Sequence, residues 1–237
     1  MVTRALVLAG GSSPRRSELD DAWPGWDESI DLVVAADAGA LLAEPLGVRL
    51  DLIVGDGDSL GEAALAGFEA QGVAVERSPA DKDSSDTELA LIAAAGRAVD
   101  EVIVLGAFGG RLDHALANVW ILAHPALAGR TVSLLDGRSR VRLLSATAAD
   151  VDGSTSPAGL DLVERPGDLV TLLPFDGPAT GVTTSGLRWP LVEATLPAGF
   201  SRGLSNQILA ADGRAPRVEL GGGRLIVIES TLLGSDP

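Results

Sequence analysis

The chain has 237 residues, enough for one large domain or two small ones, and 46% of them are hydrophobic, which predicts a globular protein with a sizeable core. Its formal net charge of −15 argues against nucleic acid or an anionic membrane as a main partner. No apolar run approaches the length of about 20 residues that is needed to span a membrane. There is no cysteine, which excludes disulfides and cysteine-ligated zinc and fits a cytoplasmic protein.

The first part of the chain alternates strand patterns with helical patterns. Short runs of Val, Ile, Leu and Ala bounded by Gly, Asp or Pro predict six strands. They lie over 4–10, 31–36, 50–55, 73–77, 101–106 and 131–136. Helices are predicted over 38–46, 60–71, 85–98 and 113–124. This alternation predicts a parallel α/β domain over residues 1–147.

The pattern changes after about residue 145. Short strand patterns then recur without a helical period, separated by turns rich in Gly, Asp and Pro. They lie over 160–164, 168–173, 181–184, 189–195, 206–211, 216–220 and 224–231. This spacing predicts a small antiparallel β-sandwich domain over residues 148–237.

Carboxylate-bearing segments follow the predicted strands of the first domain. They lie at 36–39, 55–59, 81–86, 109–114 and 135–137. Because the carboxyl ends of parallel strands meet at one edge of a sheet, we expect these carboxylates to converge there. Converging carboxylates hold a divalent metal together with a polyphosphate, so the sequence predicts a metal and phosphate site at this edge.

The sharpest of these patterns is the pair Asp56 and Asp58. Residues two apart in an extended segment point the same way, so both carboxylates can face one cation; a turn built from Asp and Gly is the alternative. The segment 81–86 is either a set of metal ligands beside a phosphate-binding Lys82 or a solvated loop that caps the next helix. Lys82 is the only lysine in the chain.

The segment 109–114 adds the positive charge that a phosphate needs. Arg111 offers a bidentate contact to phosphate oxygens, and Asp113 either caps the next helix or orients the site. No Walker A loop precedes Lys82, no G-x-G-x-x-G follows the first strand and no G-x-S-x-G is present. Phosphate handling by a metal and an arginine is the interpretation that remains.

In the second domain, two short segments contain candidate ligand-binding side chains. Trp189 is either a stacking surface for a flat cationic ligand or a core tryptophan of the sandwich. Ser205 and Asn206 are either hydrogen-bond donors to a ligand or turn residues. The residue pattern by itself leaves both pairs of alternatives open.

Taken in order, these segments resemble the thiamine pyrophosphokinase (thiamine diphosphokinase) family over nearly the whole chain. The motifs that carry the resemblance are A-D-A-G-A, D-L-I-V-G-D-G-D-S, D-K-D-S-S-D-T-E-L-A-L, G-G-R-L-D-H-A-L-A-N, T-S-G-L-R-W-P-L and S-R-G-L-S-N. The resemblance implies transfer of pyrophosphate from ATP to the hydroxyethyl group of thiamine, giving AMP and thiamine diphosphate, with Mg²⁺ required. It also implies a homodimer whose active site is shared between subunits.

The same resemblance assigns roles to residues of this chain. The metal ligands are Asp56, Asp58, Asp83 and Asp86. The ATP contacts are Asp37, Lys82, Arg111 and Asp113. The catalytic set is Asp56, Asp58, Asp86, Arg111 and Asp113. The thiamine contacts, from the other subunit, are Trp189, Ser205 and Asn206. The chain departs from the family pattern at Gly57, where a large aromatic is usual, and at Ser85, where threonine is usual.

Two other functions compete with this interpretation. One is pyrophosphate transfer to another acceptor, such as a hydroxymethyl pterin. The other is a non-catalytic module that binds a nucleotide or a metal for regulation. Clustered carboxylates together with Arg111 favour an enzyme, because a binding module does not require them.

Overall fold

The computed structural model describes residues 2–79, 83–146, 157–209 and 215–232, and the chain falls into two units, Met1–Arg138 and Ser139–Pro237. Within the described ranges, no helix is both long enough and apolar enough to cross a membrane. Both units contain β-strands, and the sequence pattern explains most of them.

The first unit contains six strands that pair in parallel throughout. They are β1 (Arg4–Leu8), β2 (Ile30–Ala36), β3 (Leu52–Gly55), β4 (Ala74–Arg77), β5 (Glu101–Leu105) and β6 (Thr131–Leu135). Their order in the sheet is β6-β5-β1-β2-β3-β4. The chain therefore builds the sheet outward from β1 in one direction and, after β4, returns to the other side of β1. In open α/β sheets, the carboxyl end of such a switch point is where ligands bind.

Helices connect these strands. They are α1 (Arg16–Ala22), α2 (Ala43–Leu46), α3 (Glu62–Ala70), α4 (Asp86–Ala95) and α5 (Leu112–Ile121), with 3₁₀ turns over Asp37–Leu42 and Pro125–Leu127. The start of α4 is the one that the sequence predicts best, since the Ser85 hydroxyl accepts a hydrogen bond from the Glu88 amide at 3.2 Å. The sequence did not predict α1, a short helix of seven residues.

The inner strand β1 shows why the parallel strands are continuous apolar runs. Its side chains Ala5 to Leu8 are fully buried, because helices cover parallel sheets on both faces. Full burial of such a Leu or Val stabilises the fold by about 1.5–3 kcal/mol. Gly39 lets the chain after β2 approach β1, since a Cβ there would lie 2.0 Å from the Leu8 carbonyl oxygen. The end of β2 is thereby held beside the end of β1.

The second unit consists of two antiparallel sheets. The strands are β7 (Ser139–Ser145), β8 (Ala158–Asp161), β9 (Leu169–Pro174), β10 (Ala179–Ser185), β11 (Ala194–Leu196), β12 (Asn206–Gln207), β13 (Arg217–Leu220) and β14 (Arg224–Ser230). One sheet has the order β12-β9-β14-β7 and the other β11-β10-β13-β8. Side chains from both sheets share one core, which includes Val170, Val182, Val218 and Val227.

The predicted fold class, a parallel α/β domain followed by an antiparallel β-sandwich, is confirmed. Several details differ from the sequence prediction, including two in the second unit. The strand β7, for which no pattern was recognised, pairs along its whole length with β14. Of the predicted strand over 189–195, only the end is extended and paired, as β11, because the preceding residues form a loop.

Candidate active site

A cleft of about 610 Å³ opens at the carboxyl ends of β1, β2, β3 and β5. Its lining comes from four loops, from the first turn of α4 and from α5. The lining segments are 9–12, 36–38, 85–87, 106–107 and 109–111, together with Ser59, His114 and Asn118. The cleft thus lies at the sheet edge where the sequence predicts the site.

Asp37 is the buried acid of this cleft, directly after β2. Its backbone has φ 42°, a left-handed conformation that few residues other than glycine adopt. Its carboxylate accepts hydrogen bonds from the backbone amides of Ser59 at 3.0 Å and Leu60 at 3.3 Å. Burial raises the pKa of Asp37, as does the nearby charge of Asp86, while the amide hydrogen bonds act in the opposite direction.

Asp56 and Asp58 are brought together by a tight turn. The Asp58 amide donates to Asp56 Oδ1 at 3.1 Å, and Gly57 between them has φ 80°. The sequence argument relied on the alternation of an extended strand, but the strand β3 ends at Gly55. The Asp and Gly residues therefore form a turn, the alternative to an extended segment, and this turn places both carboxylates close to Asp37.

The three acids Asp37, Asp56 and Asp58 form a carboxylate cluster. Each offers one oxygen, and these oxygens lie within 4.8 Å of one another. Asp37 is buried, Asp56 is half-buried and Asp58 is exposed, so the cluster is open to solvent on one side. Several carboxylate oxygens at this spacing are the ligand set that Mg²⁺ prefers, and its charge would relieve their mutual repulsion.

Asp86, in the first turn of α4, lies beside this cluster. A Cβ built on Gly55 would lie 2.9 Å from Asp37 Cβ and 3.3 Å from Asp86 Oδ1, so the glycine allows the two acids to approach. Asp83 is exposed in the loop before α4 and is not part of the three-acid cluster. Lys82 lies outside the described residues, so its predicted ATP contact stays a prediction.

Arg111 and Asp113 stand at the start of α5, where Arg111 lines the cleft. The Arg111 guanidinium donates two hydrogen bonds to the Asp113 carboxylate, at 3.1 and 2.5 Å. These bonds lower the pKa of Asp113 to about 2, so it is ionised at neutral pH. Both side chains are exposed, and the pair holds the arginine fork close to the mouth of the cleft.

In the second unit, Trp189 is 57% exposed, which rules out the core alternative for this unit. The guanidinium of Arg188 lies 5.0 Å from the centre of its ring. Asn206 is buried and bonds to the backbone of Trp189 twice: Oδ1 accepts from the Trp189 amide at 3.1 Å, and Nδ2 donates to the Trp189 carbonyl at 2.7 Å. Asn206 therefore holds the Trp189 backbone in place, and Ser205, with φ 55°, precedes it in the turn.

Comparison with known proteins supplies the family. Residues 25–134 match the family model "Thiamin pyrophosphokinase, catalytic domain", and residues 160–216 match "Thiamin pyrophosphokinase, vitamin B1 binding domain". Together the two models cover more than half of the chain. The chain belongs to the thiamine pyrophosphokinase family. The resemblance that the sequence motifs indicate is thereby confirmed.

Individual relatives extend this likeness to nearly full length. The thiamine pyrophosphokinase of Bacillus subtilis (strain 168) is 24% identical over 225 residues, which is 95% of this chain and 97% of the relative. A crystal structure of thiamine pyrophosphokinase from B. subtilis superimposes with a TM-score of 0.78 at 23% identity, covering 98% and 100% of the two chains. A family protein from Enterococcus faecalis superimposes with a TM-score of 0.75 at 26% identity, covering 97% and 99%.

The structure gives a reason for glycine at position 57, the departure from the pattern of the thiamine pyrophosphokinase family. A Cβ on Gly57 would lie 2.4 Å from Leu65 Cδ1, and Leu65 is buried. Its φ of 80° makes any other residue strained in the present turn, and a side chain there would also require Leu65 to shift. Leu65, from α3, occupies the space that a side chain at position 57 would enter.

Of the polar cleft residues that sequence reasoning missed, Asn118 is the most buried. Asn118 lies on α5, is only 8% exposed and donates from Nδ2 to the Ala107 carbonyl at 2.7 Å. It stands in the motif G-G-R-L-D-H-A-L-A-N, but its spacing on a helix is equally typical of a surface residue. Only its burial beside the cleft marks it as a candidate.

Proposed function

We propose that this chain transfers the pyrophosphoryl group of ATP to the hydroxyl of thiamine, giving thiamine diphosphate and AMP, as a transferase of the kinase type. The observation that carries this proposal is the carboxylate cluster Asp37, Asp56 and Asp58, whose member Asp37 lines one cleft with Arg111, in a chain that belongs to the thiamine pyrophosphokinase family. Reactions of this type require mainly positioning and neutralisation of phosphate charge, which carboxylate-held metal and arginine supply.

The reaction balances as a single displacement. A bond forms between the thiamine hydroxyl oxygen and the β-phosphorus, while the bond from the β-phosphorus to the oxygen that bridges to the α-phosphorus breaks. AMP leaves with that bridging oxygen, and the hydroxyl proton passes to a base. A carboxylate of the site is the base in this proposal.

The residues of the site fit Mg²⁺. Asp37, Asp56 and Asp58 would hold it, with Asp86 beside them and Asp83 as a further predicted ligand. When bound, the ion neutralises phosphate charge and orients the polyphosphate. The residues of the chain have separate tasks: Arg111 with Asp113 presents a two-pronged donor to phosphate oxygens, and Ser59 and Leu60 hold the Asp37 carboxylate in place.

For thiamine, the proposal relies on the second predicted domain, 148–237, while the first, 1–147, holds ATP and metal. The exposed indole of Trp189 suits the cationic thiazolium and the flat pyrimidine. Asn206 acts through the Trp189 backbone, and Ser205 stays a predicted thiamine contact. The cytoplasmic location also stays a prediction.

The predicted homodimer with a shared site belongs to this proposal. Leu112, Leu116 and Trp120 lie four residues apart along α5 and are 73%, 51% and 59% exposed, so one helix face is apolar and open. In the second unit, Trp189 and Phe200 are exposed as well. Exposed apolar surface of this extent favours a second copy of the chain as its partner.

One assay tests the function. Purified protein is incubated with ATP, Mg²⁺ and thiamine, and AMP and thiamine diphosphate are quantified by chromatography. We expect the two products to form in equal amounts. Replacing thiamine by a hydroxymethyl pterin tests the rival acceptor. If ATP binds but no AMP forms with either acceptor, the non-catalytic module is the correct interpretation.

Arg111→Lys tests the phosphate contact. Lysine keeps the charge but lacks the fork, so kcat/KM for ATP should fall about 10-fold or more, given the strength of charged bidentate hydrogen bonds. Steady-state kinetics with varied ATP at saturating thiamine measure this kcat/KM. The matched control is Arg224→Lys, since Arg224 also pairs through two nitrogens with an exposed acid, Asp176, but lies in the second unit. Equal activity of both variants would show that Arg111 is a surface charge without a role in the reaction.

A further inference from the structure

The loop between β5 and α5, residues 106–111, carries Arg111 and contains glycines in left-handed backbone conformations. Gly106, Gly109 and Gly110 have φ of 71°, 87° and 74°. Glycine loses more conformational freedom on folding than any other residue, so a loop of this composition keeps one geometry only where specific contacts hold it. The contacts that hold this loop therefore decide where Arg111 stands.

Two backbone hydrogen bonds attach the first half of the loop to the segment that follows β1. The Gly11 amide donates to the Gly106 carbonyl, and the Ser12 amide donates to the Phe108 carbonyl, both at 2.9 Å. These bonds join the ends of two neighbouring strands, β1 and β5. Neither of them involves α5, the helix that begins directly after the loop.

Asn118 makes the connection to α5. Its Nδ2 donates to the carbonyl oxygen of Ala107, the residue between the two that the backbone bonds hold, at 2.7 Å. Asn118 is 8% exposed and Ala107 is 3% exposed. Removing the donor from a buried carbonyl oxygen costs more than an average hydrogen bond contributes, because the oxygen is left unsatisfied. Asn118 therefore ties the start of the loop to the helix that follows its end.

The second half of the loop, by contrast, is open. A Cβ on Gly110 would have no atom within 4 Å, and the Arg111 side chain is 72% exposed. The guanidinium bonds to Asp113, which lies in the first turn of α5 itself. The arginine fork is thus held relative to α5, and Asn118 holds α5 relative to the loop and the strand ends.

We propose that Asn118 is a positioning residue for Arg111. By tying α5 to the Ala107 carbonyl, it fixes the place from which the arginine fork reaches phosphate oxygens. The inference rests on the proposed function, since that function gives Arg111 its phosphate contact. Asn118 itself has no contact with the reacting groups in this assignment.

A double-mutant cycle of Asn118→Ala and Arg111→Lys tests the assignment. Alanine preserves the helix and removes the donor. With wild-type Arg111, kcat/KM for ATP should fall at least about tenfold, because a small displacement of a group that positions substrate is costly. In the Arg111→Lys protein, the same substitution should lower it at most about twofold, since the fork that Asn118 positions is already absent. The KM for thiamine should stay within about twofold in all four proteins, because the loop is not assigned to thiamine.

The same four proteins are titrated with ATP and Mg²⁺ in a calorimeter, a measurement that needs no turnover. The losses of ATP affinity should show the same coupling between the two positions. Gln71→Ala is the matched control, since the Gln71 side-chain amide also donates to a backbone carbonyl, that of Gly67 at 3.1 Å, but lies on the exposed end of α3. The control should leave both kcat/KM and ATP affinity unchanged.

Equal fold losses in both backgrounds overturn the inference, because Asn118 would then act independently of Arg111. Normal kcat/KM in folded Asn118→Ala overturns it as well. If Asn118→Ala does not fold, Asn118→Ser takes its place in the cycle, since the serine hydroxyl is too short to reach the Ala107 carbonyl. Failure of both variants to fold would show that Asn118 serves the fold rather than Arg111.

The two arms separate this inference from the proposed function. Coupled losses of ATP affinity without thiamine-dependent AMP release by the wild type would refute the proposed function alone. Normal AMP release with additive losses would refute the positioning role alone. A wild-type protein that binds no ATP would refute both.

Discussion

Asp58→Asn is expected to leave the fold intact and to lower kcat/KM by roughly two orders of magnitude or more, because metal-assisted charge stabilisation contributes several kcal/mol to such reactions. Asp58 is exposed, and its carboxylate accepts a hydrogen bond from the neighbouring Ser59 hydroxyl, which an asparagine oxygen can also accept. The substitution therefore removes one negative charge from the carboxylate cluster with little change in packing.

The measurement is AMP release at saturating ATP and thiamine over a range of Mg²⁺ concentrations, with the melting temperature as a check on folding. Asp21→Asn is the matched control, an exposed aspartate on α1 outside the cleft. Loss of activity in the first variant and not in the second supports the metal site. Near-normal turnover of folded Asp58→Asn at saturating Mg²⁺ would show that Asp58 is not part of the metal site.

Mixing two impaired variants is expected to restore activity. If Trp189 of one subunit serves the carboxylates of the other, a heterodimer of Trp189→Ala and Asp58→Asn contains one intact site. Random exchange makes half of the dimers mixed, and each mixed dimer has one intact site of two. The mixture should therefore gain about a quarter of wild-type activity beyond the activity of the two separate variants. Trp189 is exposed in its own unit, so the substitution leaves the sandwich core unaltered.

The assay runs at thiamine concentrations below KM, where loss of a cation–π contact of roughly 0.5–2 kcal/mol is visible. Subunit exchange is verified with two different affinity tags. A mixture of Trp189→Ala with wild type serves as the control for simple dilution. No recovery after verified exchange would mean that Trp189 and Asp58 belong to the same subunit's site, or that Trp189 does not contact thiamine.

Local sequence patterns were sufficient to predict most of the fold. The strands of the first unit are apolar because they are buried on both faces, and that pattern is visible without any tertiary contact. The same holds for the start of α4 at Ser85, where the cap and its partner are three residues apart. By contrast, β7 and the loop before β11 depend on which strand pairs with them, and neighbours in sequence do not determine that.

The sequence predicted that acidic strand ends converge, and the structure has this convergence. The local geometry that orients each carboxylate was not predicted. Strand ends do bring Asp37, Asp56 and Asp58 together, as parallel topology predicts. The orientation of Asp58 comes from a turn at Gly57, and that of Asp37 from a left-handed backbone held by amides of another loop. Such long-range hydrogen bonds leave no regular spacing in the sequence.

By itself, the sequence determined most of the strands and helices, the acidic strand ends and the family, because these depend on short-range patterns of side-chain type. Only the tertiary structure decided that Asp37 is the buried member of the cluster, that Asn206 bonds to the backbone of Trp189, and that Asn118 lines the same cleft as Asp37. These facts depend on distances between residues far apart in the chain, and packing sets those distances only once the sheet has formed.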